Sequence, residues 1–159
     1  MYIHSIMAFT KIIPGEVFSI KTSKGYGFLQ FIENNDMGIQ IVRVLEPLKQ
    51  EKFVTQKETD IKERYVIGFA VTAALKRKII DRAVVLKIPD HFKTPKETRT
   101  KHMIRGEFLG WHIVNQKTLK RRLVYSLTPK EIELSPSGCP NDTLLIEWLE
   151  TDWRLENWK

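Results

Sequence analysis

Gly15-Glu-Val-Phe-Ser-Ile-Lys-Thr-Ser-Lys-Gly-Tyr-Gly-Phe-Leu-Gln-Phe31 reads as two β-strands around a polar turn. Phe18 and Ile20 alternate with Val17, Ser19 and Lys21, a period of two that sends the first pair to one sheet face. Thr22, Ser23, Lys24 and Gly25 supply the turn, with glycine where the backbone needs a positive φ. Tyr26, Phe28, Leu29, Phe31 and Ile32 carry the returning strand, and Gly27 within it predicts a bulge or sharp bend. Pro14-Gly15 marks the turn into the hairpin. A hairpin of this kind at the head of a chain predicts a mostly antiparallel β-domain.

The rest of the chain extends that reading. Glu33-Asn-Asn-Asp-Met-Gly38 is a turn, and Ile39 to Leu45 alternates as a third strand that Pro47 stops. Residues 48–64 are charged, suited to a short helix or a surface loop. Tyr65 to Thr72 is β-branched and aromatic, a strand. Ala73 to Lys78 suits a single helical turn, and Ile79 to Ile88 forms a further strand ended by Pro89. Residues 90–103 read as a long basic connection. Phe108 to Val114 and Arg121 to Leu127 pair as a second hairpin across a turn at Asn115. Thr128-Pro-Lys-Glu131 opens a short helix: a threonine cap, proline at the first helical position, glutamate three after the cap. Thr143 to Leu149 fits both periods, and its Leu144, Ile146, Trp148 alternation favours a strand.

The expected fold is therefore mostly β or β-rich α+β, a single antiparallel, strongly coiled sheet or small partly open barrel with one or two short helices. Residues 1–10 read as a lead-in segment and 11–159 as one β-rich domain. A length of 159 residues, 42% of them apolar, suits a single globular domain. One cysteine, Cys139, leaves no internal disulfide and suits a reducing compartment. The N-terminus lacks a basic region and a long apolar run, and no stretch has the ~20 apolar residues of a membrane span. Cytoplasmic location without membrane contact is expected.

Charge is unevenly spread over the net +7. Residues 76–124 carry fourteen Lys and Arg against four Asp and Glu, whereas residues 125–159 carry three against seven. Such a basic middle either meets an anionic partner or is covered by the acidic tail.

Catalytic chemistry finds little support. His4, His91, His102 and His112 show no HxH or HExxH spacing, and one cysteine cannot build a CxxC knuckle, so no metal or other cofactor is expected. A Cys139–His112 nucleophilic pair would need two distant segments to converge. Glu147 with Glu150 and Asp36 with Glu33 are solvated carboxylates, and Gly25-Tyr-Gly-Phe28 lacks the helix start of a phosphate loop. No catalytic residue is assigned.

Two resemblances carry functional expectations. Gly15-x-Val17 followed by Lys24-Gly-Tyr-Gly-Phe-Leu29 resembles the opening of cold-shock domains. That likeness implies a single-stranded nucleic-acid binder, with Tyr26 and Phe28 as the stacking pair and Lys24 on phosphate. Ser19 stands where that pattern has a tryptophan, and Ile39-Gln-Ile-Val-Arg43 replaces its second aromatic motif, so this is the alternative.

The broader likeness runs from Lys11-Ile-Ile-Pro-Gly-Glu-Val-Phe-Ser-Ile20 and Gly25-Tyr-Gly-Phe-Leu-Gln30 through Phe69-Ala-Val71, Ile79-Ile-Asp-Arg82 and Ile88-Pro-Asp-His-Phe92. It ends with Gly110-Trp-His-Ile-Val114, Leu127-Thr-Pro-Lys-Glu131 and Thr143-Leu-Leu-Ile-Glu147. In order and spacing these segments resemble the immunity protein 26 family of bacterial polymorphic-toxin systems, over residues 11–153. The resemblance implies a non-catalytic β-rich domain that binds and blocks a cognate toxin. A phosphotriesterase label carried by some members has no metal-ligand set to rest on here. Anchors for a toxin are expected at Tyr26, Trp111, His112, Arg121 and Arg122, since aromatic and arginine side chains dominate interface energetics. The basic middle predicts a partner with an acidic surface and argues against a basic nuclease.

Overall fold

The computed structural model describes residues 11–159; the lead-in over residues 1–10 lies outside the described residues. β1 (Glu16–Thr22) and β2 (Gly25–Asn34) form the expected hairpin, Phe18 opposite Leu29 and Ile20 opposite Gly27. The turn closes as its chemistry requires: Thr22 Oγ1 donates to the Gly25 carbonyl at 2.6 Å and accepts from the Lys24 amide at 3.1 Å. Gly25 has φ +121°, and a Cβ there would stand 2.8 Å from the Lys49 carbonyl oxygen.

β3 (Gln40–Val44), β4 (Tyr65–Gly68) and β5 (Ile80–Val85) complete a five-stranded antiparallel sheet in the order β4-β3-β2-β1-β5. β5 thus returns to the first strand rather than to β4. Before it runs α2 (Val71–Lys76), and between β3 and β4 lies α1 (Gln56–Thr59), whose Thr55–Glu58 capping box satisfies its first amides.

One face of this sheet carries the main core. Phe18, Ile20, Leu29, Phe31, Val42, Val44, Tyr65, Ile67 and Ile80 pack there, beneath Ala74 and Leu75 of α2 and Leu145 and Leu149 of α4 (Asp142–Glu150). The opposite face is buried as well, around Val17, Phe28, Leu45 and Val54. At its centre Arg43 is fully buried and fully engaged. Its Nε donates to Glu63 at 2.7 Å, Nη1 to Gln30 Oε1 at 2.6 Å, and Nη2 to the carbonyls of Thr59 and Ile61. Gln30 in turn donates to the Gly15 and Leu86 carbonyls. Period-two alternation alone would leave that face wet; here it encloses a satisfied polar network.

The second sheet is β6 (Glu97–Ile104), β7 (Glu107–Asn115) and β8 (Arg121–Val124). Arg105 and Gly106, both at positive φ (52° and 79°), make the two-residue β6–β7 turn. Residues 135–137 bind this sheet to the first. The Arg99 amide donates to the Ser135 carbonyl at 3.0 Å, the Ser137 amide to the Arg99 carbonyl at 2.9 Å, and Ser135 Oγ accepts from the Val66 amide of β4 at 2.9 Å.

The β-rich antiparallel class with short helices is as expected, the eight strands among the described residues dividing into two sheets that do not close into a barrel. α3 (Pro129–Ile132) starts on the expected capping box of Thr128 and Glu131. Three expectations change. Thr143–Leu149 is helical, because Asn141 Oδ1 caps the Leu144 amide at 2.8 Å and the i, i+4 pair Leu145–Leu149 is what the core receives. Strand β6 occupies the second half of the supposed 90–103 connection; its inward residue is a charged Arg99, which hides the apolar alternation. Gly27 makes no bulge, since its pairing with Ile20 is regular. It makes room instead: a Cβ there would lie 2.7 Å from Leu149 Cδ1 of α4. The irregularities fall at Phe31–Glu33 of β2 and between Val17 and Phe18 where β1 meets β5.

The acidic tail meets the basic middle where Glu131 pairs with Arg122 at 2.9 Å, while Asp152 turns to Arg64, outside that stretch, at 3.0 Å.

Candidate functional site

The second sheet presents two unlike faces. On one, Arg99, Trp111 and Ile113 are buried. The Arg99 guanidinium packs against two mutually perpendicular indoles, 4.7 Å from Trp111 and 4.5 Å from Trp158. Its nitrogens donate to the carbonyls of Leu134 (3.1 Å), Ile132 (2.9 Å), Leu155 (2.7 Å) and Trp158. Burial without a carboxylate brings its pKa down to about 10. This arginine fastens residues 132–134 and the C-terminal turn Leu155–Asn157 to the sheet.

The other face is open. His112 stands opposite Thr100 of β6 and Leu123 of β8. β7 carries one extra residue where Leu109 and Gly110 oppose His102, and Gly110 at φ +131° takes the strain of that bulge. Leu123 and Tyr125 lean over Gly110, their Cδ1 atoms 3.1 and 3.5 Å from where its Cβ would be. His102 and His112 face one another at 4.4 Å between ring centroids. Burial, then the neighbouring His102, then Arg121 hold the His112 imidazole below its ordinary pKa. Tyr125 is 78% exposed, and Leu123 and Ile104 are large apolar groups left in solvent on this face, while Met103 and Phe108 are exposed at the hairpin tip on the Trp111 side. Exposed Arg105, Lys120 and Arg121 lie around the first group, and Lys101 lies across the sheet against Phe108 and Trp111. An apolar cluster of this kind rimmed by charge is the form interaction surfaces take.

The five residues expected to anchor a partner separate in space. His112 and Arg121 share the open face. Arg122 points the other way, to Glu97 at 3.8 Å and Glu131 at 2.9 Å. Trp111, 2% exposed, supports the sheet from beneath, with Phe108 edge-on against it. Tyr26 lies on the first sheet, paired with Lys49, its ring 5.4 Å from Lys52 Nζ. Sequence reasoning missed Leu123, Tyr125 and His102; the strand alternation around Leu123 and Tyr125 was the signal that could have found the first two.

Of the residues expected to hold nucleic acid, Lys24 is exposed in the hairpin turn and Tyr26 half-buried. Phe28 is fully buried among Val17, Leu45 and Val54 and presents no ring for a base. A different aromatic stands near Tyr26: Phe53, exposed, with Lys49 Nζ 4.7 Å from its ring.

Among the described residues, no three or more His, Cys, Asp or Glu side chains gather where an ion could be held. Cys139 is exposed at the rim of a groove of about 690 Å³ between Asn34–Gln40 and α2. Desolvation raises its thiol pKa, the opposite of what activates a cysteine nucleophile. No helix among the described residues is long and apolar enough to cross a membrane.

Compared with protein-family models, curated proteins and solved structures, the chain matches none.

Proposed function

We propose that this chain is a non-catalytic protein-binding domain, an immunity protein that neutralises a cognate bacterial toxin in the cytoplasm. The observation that carries the reading is the open face of the second sheet. Leu123, Tyr125 and Ile104 stand in solvent there beside His112 and Arg121, on strands held rigid by the Arg99 clamp behind them. Rigid aromatic and arginine anchors lose little entropy on binding. The segment order shared with the immunity protein 26 family supports the same reading. The exposed lysines and arginines around the face match an acidic partner surface, which they would steer into encounter.

Co-expression with the toxin encoded beside the gene tests this. Rescue of growth and co-elution as a complex are expected, and Tyr125→Ala with Arg121→Ala are expected to weaken the complex by about 2 kcal/mol or more. Absence of both rescue and complex overturns the reading.

A second reading rests on Tyr26 and Phe53, two accessible rings with Lys49 and Lys52 beside them. It makes the first sheet a weak single-stranded nucleic-acid binder. Titration of labelled oligonucleotides at two salt concentrations distinguishes it, because phosphate contacts make affinity fall steeply with salt. A dissociation constant weaker than about 10⁻⁴ M removes it.

A further inference from the structure

His102 and His112 stand ten positions apart on the two strands of the β6–β7 hairpin, which brings their rings to 4.4 Å with a 40° tilt. Thr100 stands directly opposite His112, and His102 follows it by two residues on the same face, the diagonal position that long side chains span. Both rings are half-exposed, so each is reachable from solvent. Both sit on paired strands, so the second imidazole is held in place once the first has bound something.

A neutral imidazole is a ligand for zinc, copper and nickel. Two imidazole nitrogens bound to one tetrahedral zinc at Zn–N distances of about 2.0–2.1 Å stand about 3.3 Å apart. Rings already stacked at 4.4 Å reach that separation by turning about χ2, a broad and soft torsion for histidine. We propose that His102 and His112 form an open two-imidazole site for a borderline divalent transition ion, Zn²⁺ foremost, with water completing the coordination. The site is independent of toxin binding and asks nothing of that reading.

The surrounding charges shape it. Arg121 shares this face and is exposed beside the pair. It opposes the metal ion, so neutralising it is expected to raise affinity.

The test uses tag-free full-length protein carrying His4→Ala, which removes a competing imidazole near the N-terminus, titrated with Zn²⁺ alone at pH 7.4 by calorimetry. One equivalent is expected. His102→Ala and His112→Asn are each expected to weaken it by about tenfold or more, since chelation makes the second bond intramolecular; the double variant should bind no more tightly than either single one. Arg121→Gln should bind more tightly, and His91→Gln should be unchanged. Proton NMR of the unsubstituted rings gives a readout that needs no variant: the His102 and His112 resonances should shift together on adding Zn²⁺. Binding that survives loss of either ring within about twofold, or ring resonances that stay put at one equivalent, overturns the site and leaves only two rings in contact.

Discussion

Each sheet carries one arginine with no exposed surface, and the two are solvated in opposite ways. Arg43, in the five-stranded sheet, has a carboxylate partner in Glu63 and a side-chain amide in Gln30. Arg99, in the three-stranded sheet, has backbone carbonyls and two indole faces, and among the described residues no carboxylate pairs with it. The difference follows from position. Arg43 lies between strands within a sheet covered on both sides, where an uncompensated cation would cost several kcal/mol. Arg99 lies where residues 132–134 meet residues 155–158, so its task is to gather their loose carbonyls. The first sheet is closed on both faces, while the second is fastened on one face and, beyond the buried Thr98 and Val114 at one end, leaves the other to solvent.

The largest expected effect tests the Arg43 side of that contrast. Arg43→Met leaves Gln30 buried and the Glu63 carboxylate without its partner, and should destabilise the protein by about 3–5 kcal/mol in urea denaturation. Arg99→Met leaves only neutral carbonyls unmatched and recovers the cost of burying a lone cation, so a loss of about 1–3 kcal/mol is expected. Its mark should be local, with faster hydrogen exchange over residues 153–159. If Arg99→Met proves the costlier, the contrast fails.

The open face gives smaller effects. The depressed His112 pKa means that the folded state binds fewer protons than the unfolded one as pH falls through the ordinary histidine value near 6.5. Its contribution to stability is therefore complete above about pH 6.5 and declines below it. His112→Asn should flatten that decline in denaturation curves recorded between pH 7.5 and 5; an unchanged slope breaks the prediction. Tyr125→Ser, at a ring 78% exposed, should move stability by no more than about 0.5 kcal/mol, since it packs little, while affinity for the proposed protein partner should fall.

Much of the first sheet was legible beforehand. The hairpin of β1 and β2 shows in period-two alternation around Thr22–Gly25, and α3 shows in the Thr128–Glu131 capping pattern, because both depend on residues that touch within a few positions. The second sheet was half legible: β7 and β8 carry Trp, Ile, Val and Leu, but β6 carries Thr, Arg, Lys and His. Its burial depends on what Arg99 meets, and those carbonyls and indoles belong to residues 33 or more positions onward or to the neighbouring strand.

What the sequence by itself determined is therefore the local grammar: antiparallel strands, polar turns, a capped helix and a basic middle. Tertiary structure tipped Thr143–Leu149 to helix, since both periods fit and, beside the local Asn141 cap, it is the core that receives Leu145 and Leu149 together, Leu149 over Gly27. It alone put Phe28 inside and Tyr26 at the edge of one strand face, and set His102 against His112. The physical reason is common to all three. Local propensity depends on neighbours in the chain, whereas the side of a strand that becomes dry depends on which distant segment arrives to cover it.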